Sequence, residues 1–167
     1  AVTELNIEVT NEQYAKGLEG FTGLPHRLKF VAEKDGIKYY DDSISTTPGS
    51  AIAALRSFTE SKILIIGGAS KGADYAGLAQ EIAIQNMRAV ILIGSNVDEL
   101  AEVLCRQKVM CEIVKLGMAT MTGIVEAARR KAQSGDVVIL SPAAASFDQY
   151  KNYVDRGDQF VSSVKAL

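Results

Sequence analysis

Three short runs are almost purely apolar: residues 63–66 in KILIIGG, 89–93 in RAVILIG and 137–140 in DVVIL. MCEIVKL, at 110–116, is a more mixed run of the same length. Each has the length of a strand. Each is followed by apolar positions at helical spacing, in ADYAGLAQEIAIQN, NVDELAEVLCRQ, MTGIVEAARRKAQ and a last stretch over about 148–166. Near-continuous apolar strands alternating with amphipathic helices predict a parallel sheet covered on both faces. Upstream, RLKFVAE and IKYYDD read as two strands joined by Lys34-Asp35-Gly36, and Asp-Gly between such runs signals a hairpin. STTPGSAIAALRSF then reads as a helix with Thr47 as N-cap and Pro48 in its first position. The first 21 residues read as helical, and Thr10 with Gln13 has capping-box spacing. Gly23 and Pro25 in TGLPHR break that segment and predict a linker. The expected fold class is therefore α/β. It is a Rossmann-like, doubly wound, mostly parallel sheet with an N-terminal β-hairpin, preceded by a short helical segment.

Composition narrows the function classes without changing this picture. With 167 residues, 47% hydrophobic and 23% charged, the chain can bury one real core. A net charge of -2 and a pI near 5.5 argue against a nucleic-acid or anionic-membrane surface. No apolar run has bilayer length, and no signal peptide is recognisable. The two cysteines, Cys105 and Cys111, flank a helix-to-strand turn and make neither a disulfide framework nor a metal site. A reducing cytoplasm and a buried structural role for both are the expectation. The chain begins with Ala1 rather than Met, which suggests a piece of a longer protein.

Ligands of open α/β sheets bind outside the carboxyl ends of the strands. The residues there are unusual. IKYYDD leads into Ser43-Ile44-Ser45-Thr46-Thr47-Pro48, and KILIIGG into Ala69-Ser70-Lys71-Gly72-Ala73-Asp74. RAVILIG leads into Ser95-Asn96, and DVVIL into Ser141-Pro142, three alanines and Ser146-Phe147-Asp148. DDSISTTP suits a carboxylate or phosphate at a helix start. Taken alone, a plain Thr47 cap with an Asx-turn at Asp42 explains it better. GGASKGAD offers backbone N–H groups and the Lys71 charge to an anion, yet a tight turn with an exposed lysine explains it equally well. It fits neither the P-loop nor the G-x-G-x-x-G pattern. His26, the only histidine, stands beside Pro25 and reads as linker. No cluster has metal-ligand spacing. The residues alone support an anion-binding cleft of hydroxyls and one lysine.

GLPHR, DDSISTTPGSAIAAL, GGASKGAD and LSPAAASFDQYKNYVDRGDQF, in this order, resemble the Mur ligase family. The resemblance runs from about residue 21 to the C-terminus and is strongest to the branch adding D-glutamate to UDP-N-acetylmuramoyl-L-alanine in peptidoglycan precursor synthesis. It implies that residues 1–22 are the end of a central ATP-binding domain with its hinge. Residues 23–167 would be the C-terminal, amino-acid-binding domain. It implies D-glutamate, ATP and the UDP-sugar as partners in a monomeric, cytoplasmic, ATP-dependent ligase, with no nucleic acid and no membrane. ATP and Mg2+ would be bound mainly by the central domain, so the isolated chain would be inactive. By the same resemblance, Thr46, Lys71, Ser146, Phe147 and Tyr153 contact D-glutamate, and Arg27 and Asp42 reach the nucleotide. No metal ligand and no catalytic residue falls within the chain. Ile44 stands where many relatives carry lysine. The alanines would let the last turn approach the ligand, and Asp148 would cap the last helix. Another amino-acid ligase of the superfamily, such as a folylpolyglutamate synthetase, and a non-enzymatic Rossmann-like module remain the alternatives.

Overall fold

The computed structural model describes residues 10–19, 23–69 and 72–167. A first helix, α1 (Asn11–Leu18), is closed by a complete capping box. Thr10 Oγ1 accepts from the Gln13 amide at 3.2 Å, while Gln13 Oε1 accepts from the Thr10 amide at 2.9 Å. The rest of the expected N-terminal helix lies outside the described residues.

The hairpin consists of β1 (Lys29–Lys34) and β2 (Ile37–Asp41), paired antiparallel. Its two-residue turn puts Asp35 at φ 54° and Gly36 at φ 75°, the left-handed pair that an Asp-Gly turn supplies. Then follow α2 (Pro48–Arg56), β3 (Lys62–Gly67), α3 (Ala76–Ile84), β4 (Met87–Ile93), α4 (Val97–Arg106), β5 (Glu112–Gly117), α5 (Met121–Lys131), β6 (Val137–Leu140) and α6 (Tyr153–Lys165). The order across the sheet is β1-β2-β6-β3-β4-β5, parallel except for β1. This is the doubly wound arrangement with a hairpin at one edge.

Alternate side chains of the central strands feed two cores, because successive residues of a strand point to opposite faces. Ile63, Ile65, Ile91, Val138 and Leu140 meet α5 and α6 through Ile124, Val125, Phe160 and Val164. Leu64, Ile66, Val90, Leu92 and Ile139 meet α2, α3 and α4 through Leu55, Leu78, Ile82, Leu100 and Leu104. Each fully buried Leu or Ile of this kind stabilises the fold by about 1.5–3 kcal/mol. Among the described residues no helix is long and apolar enough to cross a membrane.

Three expectations are corrected. The last helix starts at Tyr153 rather than at 148, and its N-cap is Asn152, whose side chain accepts from the Asp155 amide at 2.9 Å. Asp148 lies in the preceding turn and does not cap it. Cys105 is exposed and Cys111 only half-buried. The buried stripe of α4 is Leu100 and Leu104, and Cys105 sits roughly 100° around the helix from Leu104.

Candidate functional site

The strand order places the loop after β6 between those after β2 and β3, and backbone hydrogen bonds join all three. Ala143 N donates to the Ser45 carbonyl at 2.9 Å, Gly67 N to Pro142 at 2.8 Å, and Ala69 N to Ala145 at 2.8 Å. The loop after β4 is tied in as well. Asn96 accepts from Gly68 N through Oδ1 at 2.9 Å, donates its own amide to the Gly68 carbonyl at 3.2 Å, and donates Nδ2 to the Tyr75 hydroxyl at 3.0 Å. Ser95 N donates to Asp148 Oδ2 at 2.8 Å. Asp148 is thus a cross-loop strut.

The small residues follow from this crowding. A Cβ on Gly68, whose φ is 153°, would lie 2.1 Å from the Ala145 carbonyl oxygen and 3.3 Å from the Ala144 Cβ. Ala143, Ala144 and Ala145 are all buried, and Ala143 holds the left-handed φ of 57° that a larger or branched residue would tolerate poorly. The alanines therefore let the last turn press against the glycine loop beside it.

The DDSISTTP turn is built as a dense polar knot. Thr47 caps α2 as expected, its Oγ1 accepting from the Ser50 amide, and Pro48 opens the helix. The Asx-turn is at Asp41 rather than Asp42, for Asp41 Oδ1 accepts from Ser43 N at 2.9 Å. Asp42 is almost fully buried. Its Oδ1 accepts from Leu28 N at 3.1 Å and its Oδ2 from the Ser141 hydroxyl at 2.7 Å. Burial pushes this carboxyl above its ordinary range, against the opposing pull of the hydrogen bonds from Ser45, Ser141 and Leu28. Arg27, Leu28, Asp42, Ser45 and Ser50 line one cleft of about 160 Å3. Arg27 and Asp42 therefore share a wall, one that is too small to enclose a nucleotide.

Thr46 is exposed at the rim, and Ser146 is buried, with only 2% of its surface exposed, at the base of the last turn. Phe147 projects outward with 67% exposed, and Tyr153 is partly exposed at the start of α6. Tyr153 stands edge-on to His26, ring centroids 6.2 Å apart. Lys71 lies outside the described residues, with Ser70.

His26 is not a free linker residue. Its Nδ1 lies 2.7 Å from Asp41 Oδ2, and its Nε2 lies 3.8 Å from Asp158 on α6. Beneath it runs Gly157, where a Cβ would come within 2.2 Å of Nδ1. Arg156 is fully buried and donates to Ser43 Oγ at 3.0 Å, to the Ser43 carbonyl at 2.9 Å and to the Ala144 carbonyl at 3.2 Å. Burial pushes its guanidinium down to about 10, while Tyr150, Asp148 and Asp41 act to hold it up. Asn96 was noted at its strand end without a role, and Arg156 was not singled out from the sequence. For Arg156 a signal existed: it falls on the same helical stripe as Phe160 and Val164, where an arginine is unexpected.

A sequence model of the family described as "Mur ligase, glutamate ligase domain" matches residues 26–144. The chain is 45% identical over 154 residues to the UDP-N-acetylmuramoylalanine–D-glutamate ligase of Pseudomonas fluorescens, which covers 90% of this chain and 33% of that protein. To the enzyme of the same name from Nitrosomonas europaea it is 39% identical over 161 residues, 96% of this chain and 33% of that one. The chain thus spans about a third of the length of these relatives. Among solved structures, the UDP-N-acetylmuramate-alanine ligase of Thermotoga maritima superposes with a TM-score of 0.63 at 12% identity, over 99% of this chain and 35% of that one. The bifunctional folylpolyglutamate synthase/dihydrofolate synthase of Yersinia pestis gives 0.54 at 16% identity, over 96% and 35%. These two likenesses are likenesses of fold alone.

Proposed function

The chain belongs to the Mur ligase family, and we propose that it is the amino-acid-binding domain of an ATP-dependent ligase that joins D-glutamate to UDP-N-acetylmuramoyl-L-alanine. The observation that carries this reading is the hydrogen-bonded rim of three loops at the strand ends, Ser45 to Ala143 and Ala69 to Ala145, in a chain 45% identical to a D-glutamate ligase.

In this reading residues 23–167 are the domain and residues 1–22 the end of a preceding, ATP-binding one. Thr46, Lys71 and Ser146 hold the two carboxylates of D-glutamate, and Phe147 and Tyr153 wall the pocket. Arg27 and Asp42 offer one edge to the nucleotide. The partner domain supplies the phosphorylated carboxylate of the UDP-sugar. The amine of D-glutamate then attacks that acyl phosphate, a C–N bond forms, phosphate leaves and the amine loses a proton. This chain contributes orientation, holding the amine toward the acyl carbon. ATP and Mg2+ are needed by the whole enzyme. Among the described residues no three of His, Cys, Asp or Glu gather into a metal-holding group, and we place no metal ligand on this chain.

The test is steady-state kinetics of the full-length ligase carrying Lys71→Met or Ser146→Ala. A charge-assisted hydrogen bond in a desolvated cleft contributes about 1.5–3 kcal/mol, roughly ten- to a hundred-fold in affinity. KM for D-glutamate should rise by that factor while KM for ATP stays within about twofold. If neither variant moves the D-glutamate parameter, these loops are not the amino-acid site.

A further inference from the structure

Arg156 is fully buried, yet none of its three hydrogen bonds goes to a carboxylate. All go to neutral oxygens, on two segments far apart in sequence: Ser43 at the end of β2, and Ala144 in the turn after β6. Burying a charge is costly unless the geometry around it is fixed. A core position on α6, in line with Phe160 and Val164, would be filled more cheaply by an apolar side chain.

The guanidinium fork offers five N–H donors in a fixed plane, so one side chain can bridge two backbones at a set separation. Here Nε and one terminal nitrogen take Ser43 Oγ and O, and the other terminal nitrogen takes Ala144 O. Ser43 Oγ passes the linkage on, donating to the Tyr153 carbonyl at 2.8 Å in the first turn of α6. Thr46 lies three residues beyond Ser43, and Ser146 two beyond Ala144.

We propose that Arg156 is a positioning residue that sets the spacing between the Ser43–Thr46 and Ala144–Ser146 segments, and so the amino-acid half of the site, without touching the substrate. The proposal rests on the D-glutamate reading above. The nucleotide edge is held independently of it, because Asp42 is fixed by Leu28 N and the Ser141 hydroxyl.

Arg156→Lys keeps the charge and removes the fork. In the full-length ligase it should raise KM for D-glutamate by roughly tenfold or more, since small misplacements of a binding group cost that much, and leave KM for ATP within about twofold. Ser43→Ala keeps the guanidinium and its two carbonyl partners, removes the Oγ that accepts from Arg156 Nε and donates to the Tyr153 carbonyl, and should act in the same direction with a smaller factor. It serves if Arg156→Lys does not fold, with circular dichroism reporting the fold of both. An unchanged D-glutamate KM in a folded variant, while Ser146→Ala still raises it, overturns the positioning role and leaves the site reading intact. An equal rise in both Michaelis constants also overturns it, for Arg156 would then be a general strut. If Ser146→Ala and Lys71→Met are both without effect, the site reading fails and the proposal with it.

Discussion

Gly157→Ala tests the close contact between α6 and His26. An alanine Cβ at 157 would sit 2.2 Å from His26 Nδ1 and 2.9 Å from Asp41 Oδ2, inside the contact distance of any real side chain. The clash falls on the bond between those two groups, which are 2.7 Å apart. The ring cannot swing freely, for Tyr153 stands edge-on to it and Asp158 flanks its Nε2. Losing a hydrogen bond to a charged, buried carboxylate costs about 1.5–3 kcal/mol. Overpacking adds about 1–3 kcal/mol, and the helix-propensity gain of Gly to Ala returns about 1 kcal/mol. The net is a destabilisation of about 1.5–5 kcal/mol, or roughly 3–20 °C in melting temperature for a chain of this size. The chain has no tryptophan, so urea and thermal unfolding are followed by far-ultraviolet circular dichroism. Repeating Gly157→Ala in a His26→Ala background isolates the ring contact: with the ring gone only the 2.9 Å approach to Asp41 Oδ2 remains, so the cost of the substitution should fall. A Gly157→Ala chain as stable as its parent would mean that α6 does not press on His26.

Gly77→Ala is the opposite case: Gly77 lies in α3 with nothing within 4 Å of a new Cβ. It should stabilise by about 0.5–1 kcal/mol in the same denaturation assay. Arg88→Met should destabilise by about 2–3 kcal/mol at neutral pH, because it strands the buried Asp136 carboxylate that Arg88 pairs with two-fold. Burial acts to raise the Asp136 pKa, and the Arg88 pair with the Gln133 amide outweighs it, leaving the folded value below 3.8. That pairing therefore stabilises above 3.8 and is lost as pH falls through the folded value, so the gap between parent and Arg88→Met should close on acidification below pH 3.8. The isolated chain should show no magnesium-dependent ATP turnover and no stoichiometric ATP binding by calorimetry, since the cleft proposed as its nucleotide edge is only about 160 Å3. Tight binding would instead favour a free-standing nucleotide-binding module.

The six strands, the Asp-Gly hairpin turn, the Thr47 cap with Pro48 behind it, and the Thr10–Gln13 capping box were all legible in the sequence. Each rests on local rules: apolar run length, side-chain period, and the hydrogen bonds a residue makes within three or four positions. Tertiary structure decided what local rules do not reach. The insertion of β6 between β2 and β3 sets which loops touch, and it depends on pairings far apart in sequence, Asp41 with Leu140 and Ile65 with Leu140. Asp148 has the composition of an N-cap and became a strut because the Ser95 amide arrives from β4. His26 read as linker and Arg156 as one more charge on an amphipathic helix. Their partners, Asp41, Ser43 and Ala144, come together only once α6 packs across the ends of β2 and β6, because burial without solvent forces each polar group to find a partner wherever the chain brings one.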